Sequence, residues 1–174
     1  NLNGYQCIWD AGGKDVIDAS SASSSVTINL RNATLQNETG GGGFVSKIKD
    51  SFKGFTIAYN STDDCIIENA IGSSHNDNLI GNDFNNNISG GDGDDIINGG
   101  NGDDIINGGN GNDIINGGNG DDRIAGTIGN DNIDGGEGTD SFILDFDSNN
   151  YLFSKVNLNN LNSTLIQINS DKFR

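Results

Sequence analysis

The sequence predicts an all-β fold: a right-handed parallel β-roll at residues 72–143, a strand-rich lead-in at residues 1–71 and capping strands at residues 144–174. Three observations lead there. A nine-residue unit of the form Gly-Gly-x-Gly-x-Asp-x-Ile-x recurs eight times in one register. Glycines fill the first half of each unit and an apolar residue recurs near its end, which reads as a turn followed by a short strand. One such strand cannot bury its single core-facing side chain alone, whereas strands stacked about 4.8 Å apart can.

Four units are nearly identical: GGDGDDIIN at 90–98, GGNGDDIIN at 99–107, GGNGNDIIN at 108–116 and GGNGDDRIA at 117–125. Looser copies keep the register on both sides, at 72–80, 81–89, 126–134 and 135–143. Glycines at positions 1, 2 and 4 allow positive φ and close approach of backbone carbonyls. Position 6 is aspartate in seven of the eight units: Asp77, Asp95, Asp104, Asp113, Asp122, Asp131 and Asp140. Carboxylate plus carbonyl oxygen is a donor set for a hard cation such as calcium. Position 8 is always apolar: Leu79, Ile88, Ile97, Ile106, Ile115, Ile124, Ile133 and Phe142. Two units complete one coil, so alternate units lie on opposite faces and the turns form two stacked rows. Position 7 then points outward, with Ile96 and Ile114 on one face and Ile105 on the other.

These units resemble the calcium-binding nonapeptide repeats of RTX proteins. The resemblance implies an ion between each turn and the turn two units later, held by positions 2, 4 and 6 of the first and 1, 3 and 6 of the second. Gly91, Gly93 and Asp95 would face Gly108, Asn110 and Asp113; Gly100, Gly102 and Asp104 would face Gly117, Asn119 and Asp122. Gly109, Gly111 and Asp113 would face Gly126, Ile128 and Asp131; Gly118, Gly120 and Asp122 would face Gly135, Glu137 and Asp140. Two weaker sites open the roll: Ser73, His75 and Asp77 against Gly90, Asp92 and Asp95, and Asn82, Phe84 and Asn86 against Gly99, Asn101 and Asp104.

The formal charge of −16 and a hydrophobic content of 32% work against an ordinary globular core, because burial is small and the carboxylates repel. A bound array of divalent cations answers both. It predicts coupled binding and folding, largely disordered without calcium and a rigid roll with it, at the roughly 10⁻⁴ to 10⁻³ M affinities that suit extracellular calcium. The acidity argues against nucleic acid and anionic membrane, and no apolar run of membrane-spanning length occurs. The chain opens at Asn1 without methionine and reads as a piece of a longer protein.

In the lead-in, strands are expected at residues 5–9, 26–30, 55–59 and 65–67. IWDAGGKDVIDAS (8–20), VTINL (26–30), FTIAYN (55–60) and IIENAIGSSHNDNLIGND (66–83), in that order, resemble the C-terminal domain of serralysin-type secreted zinc metalloproteases. The resemblance covers about residues 5–143 and implies a further calcium held by Asp10, the Gly12 carbonyl, Asp15 and Glu68. Residues 38–54 read as a surface insertion in which Val45, Ile48 and Phe52 suit one face of a short helix. Cys7 and Cys65 are the only cysteines, and a disulfide and two buried thiols both remain open. Strands at 141–146, 151–158 and 164–169 would close the end of the roll.

No zinc motif is present, and the single histidine, His75, cannot supply its three histidines; His75 reads as a solvated loop residue rather than the base of a Ser/His/Asp triad. The chain itself is expected to be non-catalytic. Its expected role is to keep a secreted, serralysin-like metalloprotease unfolded for type I export and, on extracellular calcium, to fold and stabilise the N-terminal catalytic domain. The rival is an RTX binding module of an adhesin or polysaccharide-active enzyme. Ice binding is disfavoured because position 3 carries Asp92, Asn101, Asn110 and Asn119 rather than threonine.

Overall fold

The computed structural model describes residues 6–8, 12–31, 46–49, 54–57, 66–126, 128–144, 154–156 and 165–169. Among them there is no helix, and the strands form two stacked sheets. The repeat sets the geometry. In β8 (Asn87–Asp92), β9 (Ile96–Asn101), β10 (Ile105–Asn110) and β11 (Ile114–Asn119) side chains alternate outward and inward, so the first isoleucine of each Ile-Ile-Asn faces solvent and the second is buried. A β-branched pair favours an extended backbone, and only one residue of each pair fits the interior.

Successive strands go to opposite sheets. β7 (Asn78–Ile80), β9, β11 and β13 (Asn130–Glu137) stack in parallel in one sheet; β6 (Asn69–Ile71), β8, β10, β12 (Arg123–Gly126) and β14 (Ser141–Leu144) stack in the other. The register advances by 18 residues, two units: Ile97 pairs with Ile115 and Ile88 with Ile106. The core is therefore two facing columns, Leu79, Ile97, Ile115 and Ile133 against Ala70, Ile88, Ile106 and Ile124, all essentially fully buried.

Parallel stacking begins before the first recognisable unit. β2 (Val16–Asp18) pairs with β6, and β3 (Val26–Asn29) pairs with β7, which adds Val26, Ile28, Leu30 and Ile67 to the core. Beyond β3 the sheet continues antiparallel into β4 (Ser46–Ile48) and β5 (Gly54–Ile57), then parallel into β1 (Gln6–Ile8). This corrects two expectations. Residues 46–48 are strand rather than helix, because pairing on both sides outweighs the spacing of Val45, Ile48 and Phe52. Of the strand expected at 65–67, residues 66 and 67 are not strand and 65 lies outside the described residues: pairing starts at Asn69, once the segment reaches β2 and β8. At the far end β16 (Leu165–Asn169) runs antiparallel to β13 and is itself paired with β15 (Ser154–Val156), which covers the edge of one sheet.

Candidate metal centre

The turns between the strands carry the position-6 carboxylates, and the fold fixes each one twice. Its Oδ1 accepts the backbone N–H of the position-6 residue two units earlier: Asp77 to Asp95 at 2.8 Å, Asp95 to Asp113 at 2.9 Å, Asp113 to Asp131 at 3.0 Å. In the other row, Asn86 donates to Asp104 at 2.8 Å, Asp104 to Asp122 at 2.8 Å and Asp122 to Asp140 at 3.0 Å. The second oxygen is left over. Oδ2 of Asp95, Asp104, Asp113, Asp122 and Asp131 is buried without a hydrogen bond. A buried, unpaired carboxylate oxygen repeated five times in register is costly unless something positive meets it.

Backbone oxygens converge on the same space. A Cβ built on Gly99 would collide with both Asp104 Oδ2 and the Gly117 carbonyl oxygen; on Gly90 it would collide with Asp95 Oδ2 and the Gly108 carbonyl, and on Gly117 with Asp122 Oδ2 and the Gly135 carbonyl. Each pair joins a turn to the turn two units on. Gly100 and Gly102 have φ of 112° and 101°, and their equivalents in neighbouring turns are also positive, which lets carbonyls crowd one point where a side chain would block it. The structure thus brings Asp95 beside Gly108, Asp104 beside Gly117 and Asp122 beside Gly135.

Without a cation these aspartates resist ionisation. Asp95 and Asp104 are pushed up to about 7 and Asp113 and Asp122 to about 6, while Asp131 is also raised. Burial is the main cause. The backbone N–H bond to each opposes it, and for the first four the carboxylates of neighbouring turns add to it. Among the described residues no cluster of three or more His, Cys, Asp or Glu side chains forms. The donors that do converge are carboxylate and backbone carbonyl oxygens, a donor set that suits calcium.

The remaining site residues fall into three groups. In the lead-in, the Asp15 N–H donates to Glu68 Oε2 at 2.8 Å, and Gly12 lies in the adjoining bend with φ of 95°; Asp10 lies outside the described residues. The opening turns are wired differently from the rest. Asp77 accepts from Val26 N–H at 2.7 Å and from Ser73, and Asn86 is bonded to Asn82. His75 is partly exposed, with Ser74 Oγ 3.5 Å from its Nδ1. Cys7 is in β1 opposite Thr56, and Cys65 lies outside the described residues. Ile96, Ile105 and Ile114 are about half exposed, as position 7 requires.

Two outer ladders escaped the sequence reading. At position 5, Asn112 N–H donates to Asp94 Oδ1 at 2.8 Å, Asp121 to Asp103 at 2.9 Å and Asn130 to Asn112 at 2.9 Å. At position 3, the amide of Asn110 donates to Asp92 at 2.8 Å and that of Asn119 to Asn101 at 2.7 Å. The signal was present, since position 5 is Asp or Asn in seven of eight units. These ladders hold successive turns in alignment and keep the carbonyl rows in register.

The RTX calcium-binding nonapeptide repeat family (4 copies to a match) matches residues 71–106, 107–142 and 116–151. No curated protein matches the chain. Residues 71–151 therefore carry RTX calcium-binding repeats, non-catalytic in themselves, and the described residues from 71 to 144 are wound as a parallel β-roll.

Proposed function

We propose that this chain is a calcium-dependent folding module from a secreted protein, the C-terminal domain of a serralysin-like metalloprotease whose catalytic domain lies outside these residues. The observation that carries the calcium reading is the row of buried, unpaired Oδ2 atoms facing carbonyl oxygens at an 18-residue spacing. Asp95, Asp104, Asp113 and Asp122, with the carbonyls of the glycine-rich turns, would hold the ions. Calcium supplies the positive charge that the carboxylate rows lack. The chain's own residues do the rest: they position oxygens, exclude water with the isoleucine columns and tie turn to turn.

Asp15, Glu68, Gly12 and Asp10 would hold a further ion at the lead-in, and the Asp15–Glu68 contact supports that placement. The serralysin reading is supported by the order of the W-D-x-G-G-x-D loop, the I-E-N-A-I-G junction and the repeats. In that setting the calcium-dependent repeats stay unfolded through type I export, where cytoplasmic calcium is scarce, and fold outside the cell to stabilise the catalytic partner.

The test is a calcium titration of chelator-treated chain followed by far-UV circular dichroism, with magnesium as control. A cooperative, calcium-specific gain of β signal at sub-millimolar to millimolar concentration is expected. A fully folded spectrum in chelator, unchanged by calcium, would overturn the reading.

A further inference from the structure

The two turns that open the roll satisfy their own polar groups. At residues 72–77 the Ser73 N–H donates to Asp77 Oδ2, Ser73 Oγ donates to Asp77 Oδ1 at 3.0 Å, and the same Oγ accepts the His75 N–H at 3.2 Å. At residues 81–86 the Asn82 N–H donates to Asn86 Oδ1 at 2.8 Å, Asn86 Nδ2 donates to Asn82 Oδ1 at 3.0 Å, and Asn82 Oδ1 accepts the Phe84 N–H at 2.9 Å. The wiring is the same in both. The position-2 N–H is spent on the position-6 side chain, and the position-2 side chain takes the position-4 N–H. From residue 90 to residue 125 position 2 is glycine, so no side chain can do this. There the position-4 N–H crosses to the next turn of the row instead, as from Gly93 to the Asn110 carbonyl at 2.7 Å, and the Oδ2 atoms stay unpaired.

A cation needs lone pairs that converge with nothing positive between them. In the opening turns the position-2 N–H already points at a position-6 oxygen, and Asn86 brings no charge. The Gly90 and Gly99 carbonyls approach these position-6 oxygens as their counterparts do in the later turns, but the oxygens are already spent on N–H groups, and so the residues there do not fit the ion that the repeat implies. We infer that the turns at 72–77 and 81–86 close without calcium, and that packed on β3 they form a seed with no ion between its turns, on which the calcium-dependent coils are laid toward the C terminus. This rests on the calcium reading of the later turns.

The core supports the seed independently. Val26, Ile28, Leu30, Ile67, Ala70, Leu79 and Ile88 are buried together at this end, with Ile17, Ala19 and Ala22 packed against them, whereas each later unit adds one isoleucine. The opening turns are also stitched to the lead-in: Val26 N–H to Asp77, and Asn82 Nδ2 to the Ile67 carbonyl at 2.9 Å. β9, β10 and β11 make their main contacts with the neighbouring coils.

Two measurements on the full chain test this. Hydrogen–deuterium exchange in chelator is expected to leave β3, β6 and β7 at least about ten-fold more protected than β9–β11, with calcium closing the gap. Equal exchange of both regions overturns the seed. Calorimetric calcium counting then compares the wild type with D77N, N82G/N86D and D104N. Unchanged ion number in D77N, one ion gained in N82G/N86D and one lost in D104N is the expected pattern. Loss of an ion in D77N, or no gain in a folded N82G/N86D, overturns the inference while leaving the calcium reading intact. No loss in D104N as well as D77N overturns the calcium reading itself, and the inference with it.

Discussion

Asp104→Asn should change stability with opposite sign in the presence and absence of calcium. The substitution is narrow: Oδ1, which accepts the Asn86 N–H at 2.8 Å, is kept, and only the unpaired Oδ2 becomes an amide. In chelator the wild-type carboxyl is raised from 3.8 to about 7, chiefly by burial. At about 1.4 kcal/mol per pH unit that corresponds to about 4 kcal/mol of strain against the ionised form, and solvent reaching the rim of the turn halves it to about 2 kcal/mol. The amide costs about 1 kcal/mol at most, since the Gly117 carbonyl stands ready to accept from it. The calcium-free variant should therefore be the more stable by about 1–2 kcal/mol. With calcium at about a hundred times the dissociation constant, one lost ion removes about 2.7 kcal/mol. Urea titrations followed by circular dichroism, in chelator and in calcium, read both signs. If D104N changes stability by the same amount in both conditions, Asp104 does not distinguish the calcium-bound from the calcium-free state, and the ligand argument fails.

Acidity should act in the same two senses. In chelator the folded state binds more protons than the unfolded chain between 3.8 and about 7, so stability is greatest below that window and is lost as pH rises through about 7 for Asp95 and Asp104. Lowering pH from 8 to 5 should raise β signal in chelator and, because proton and ion compete for one oxygen, raise the calcium needed for folding; a chelator spectrum that does not change with pH refutes it. Ile106→Ala, which empties a fully buried place in one column, should cost about 2–5 kcal/mol, against about 0.5 kcal/mol or less for Ile105→Ser on the exposed face. The check is a pair of urea melts in saturating calcium, and equal costs would sink the assigned faces. Gly109→Ala should block calcium-induced folding, because its φ is 100° and a Cβ would strike the Gly91 carbonyl oxygen; a normal titration midpoint would count against the crowded-carbonyl geometry.

The roll was legible because its determinants are local and repeat. Position 8 names the columns from Leu79 to Ile133, position 7 names the exposed Ile96, Ile105 and Ile114, and the 18-residue register follows from two units per coil. What escaped was set by contacts remote in sequence. Residues 46–48 became strand because β3 and β5 lie on either side, which no local spacing announces. β2 carries no recognisable unit, yet it extends a roll sheet because residues 69–71 offer it an edge. The carboxylate pairs were readable from the repeat, but the division of labour within each carboxylate was not, since Oδ1 is claimed by an N–H 18 residues upstream.

That division explains why repetition alone would be self-defeating here. Stacking identical units puts position-6 carboxylates on neighbouring strands, so the operation that builds the isoleucine columns also builds two columns of like charge in a chain already at −16. Hydrogen bonding uses one oxygen of each and leaves the other buried without a partner. At neutral pH a solenoid of these units therefore needs cations between the turns or a side chain in their place. On the proposed reading the repeats from residue 90 follow the first course, and Ser73, Asn82 and Asn86 take the second, at the end where β3 and its neighbours supply apolar surface to hold a coil.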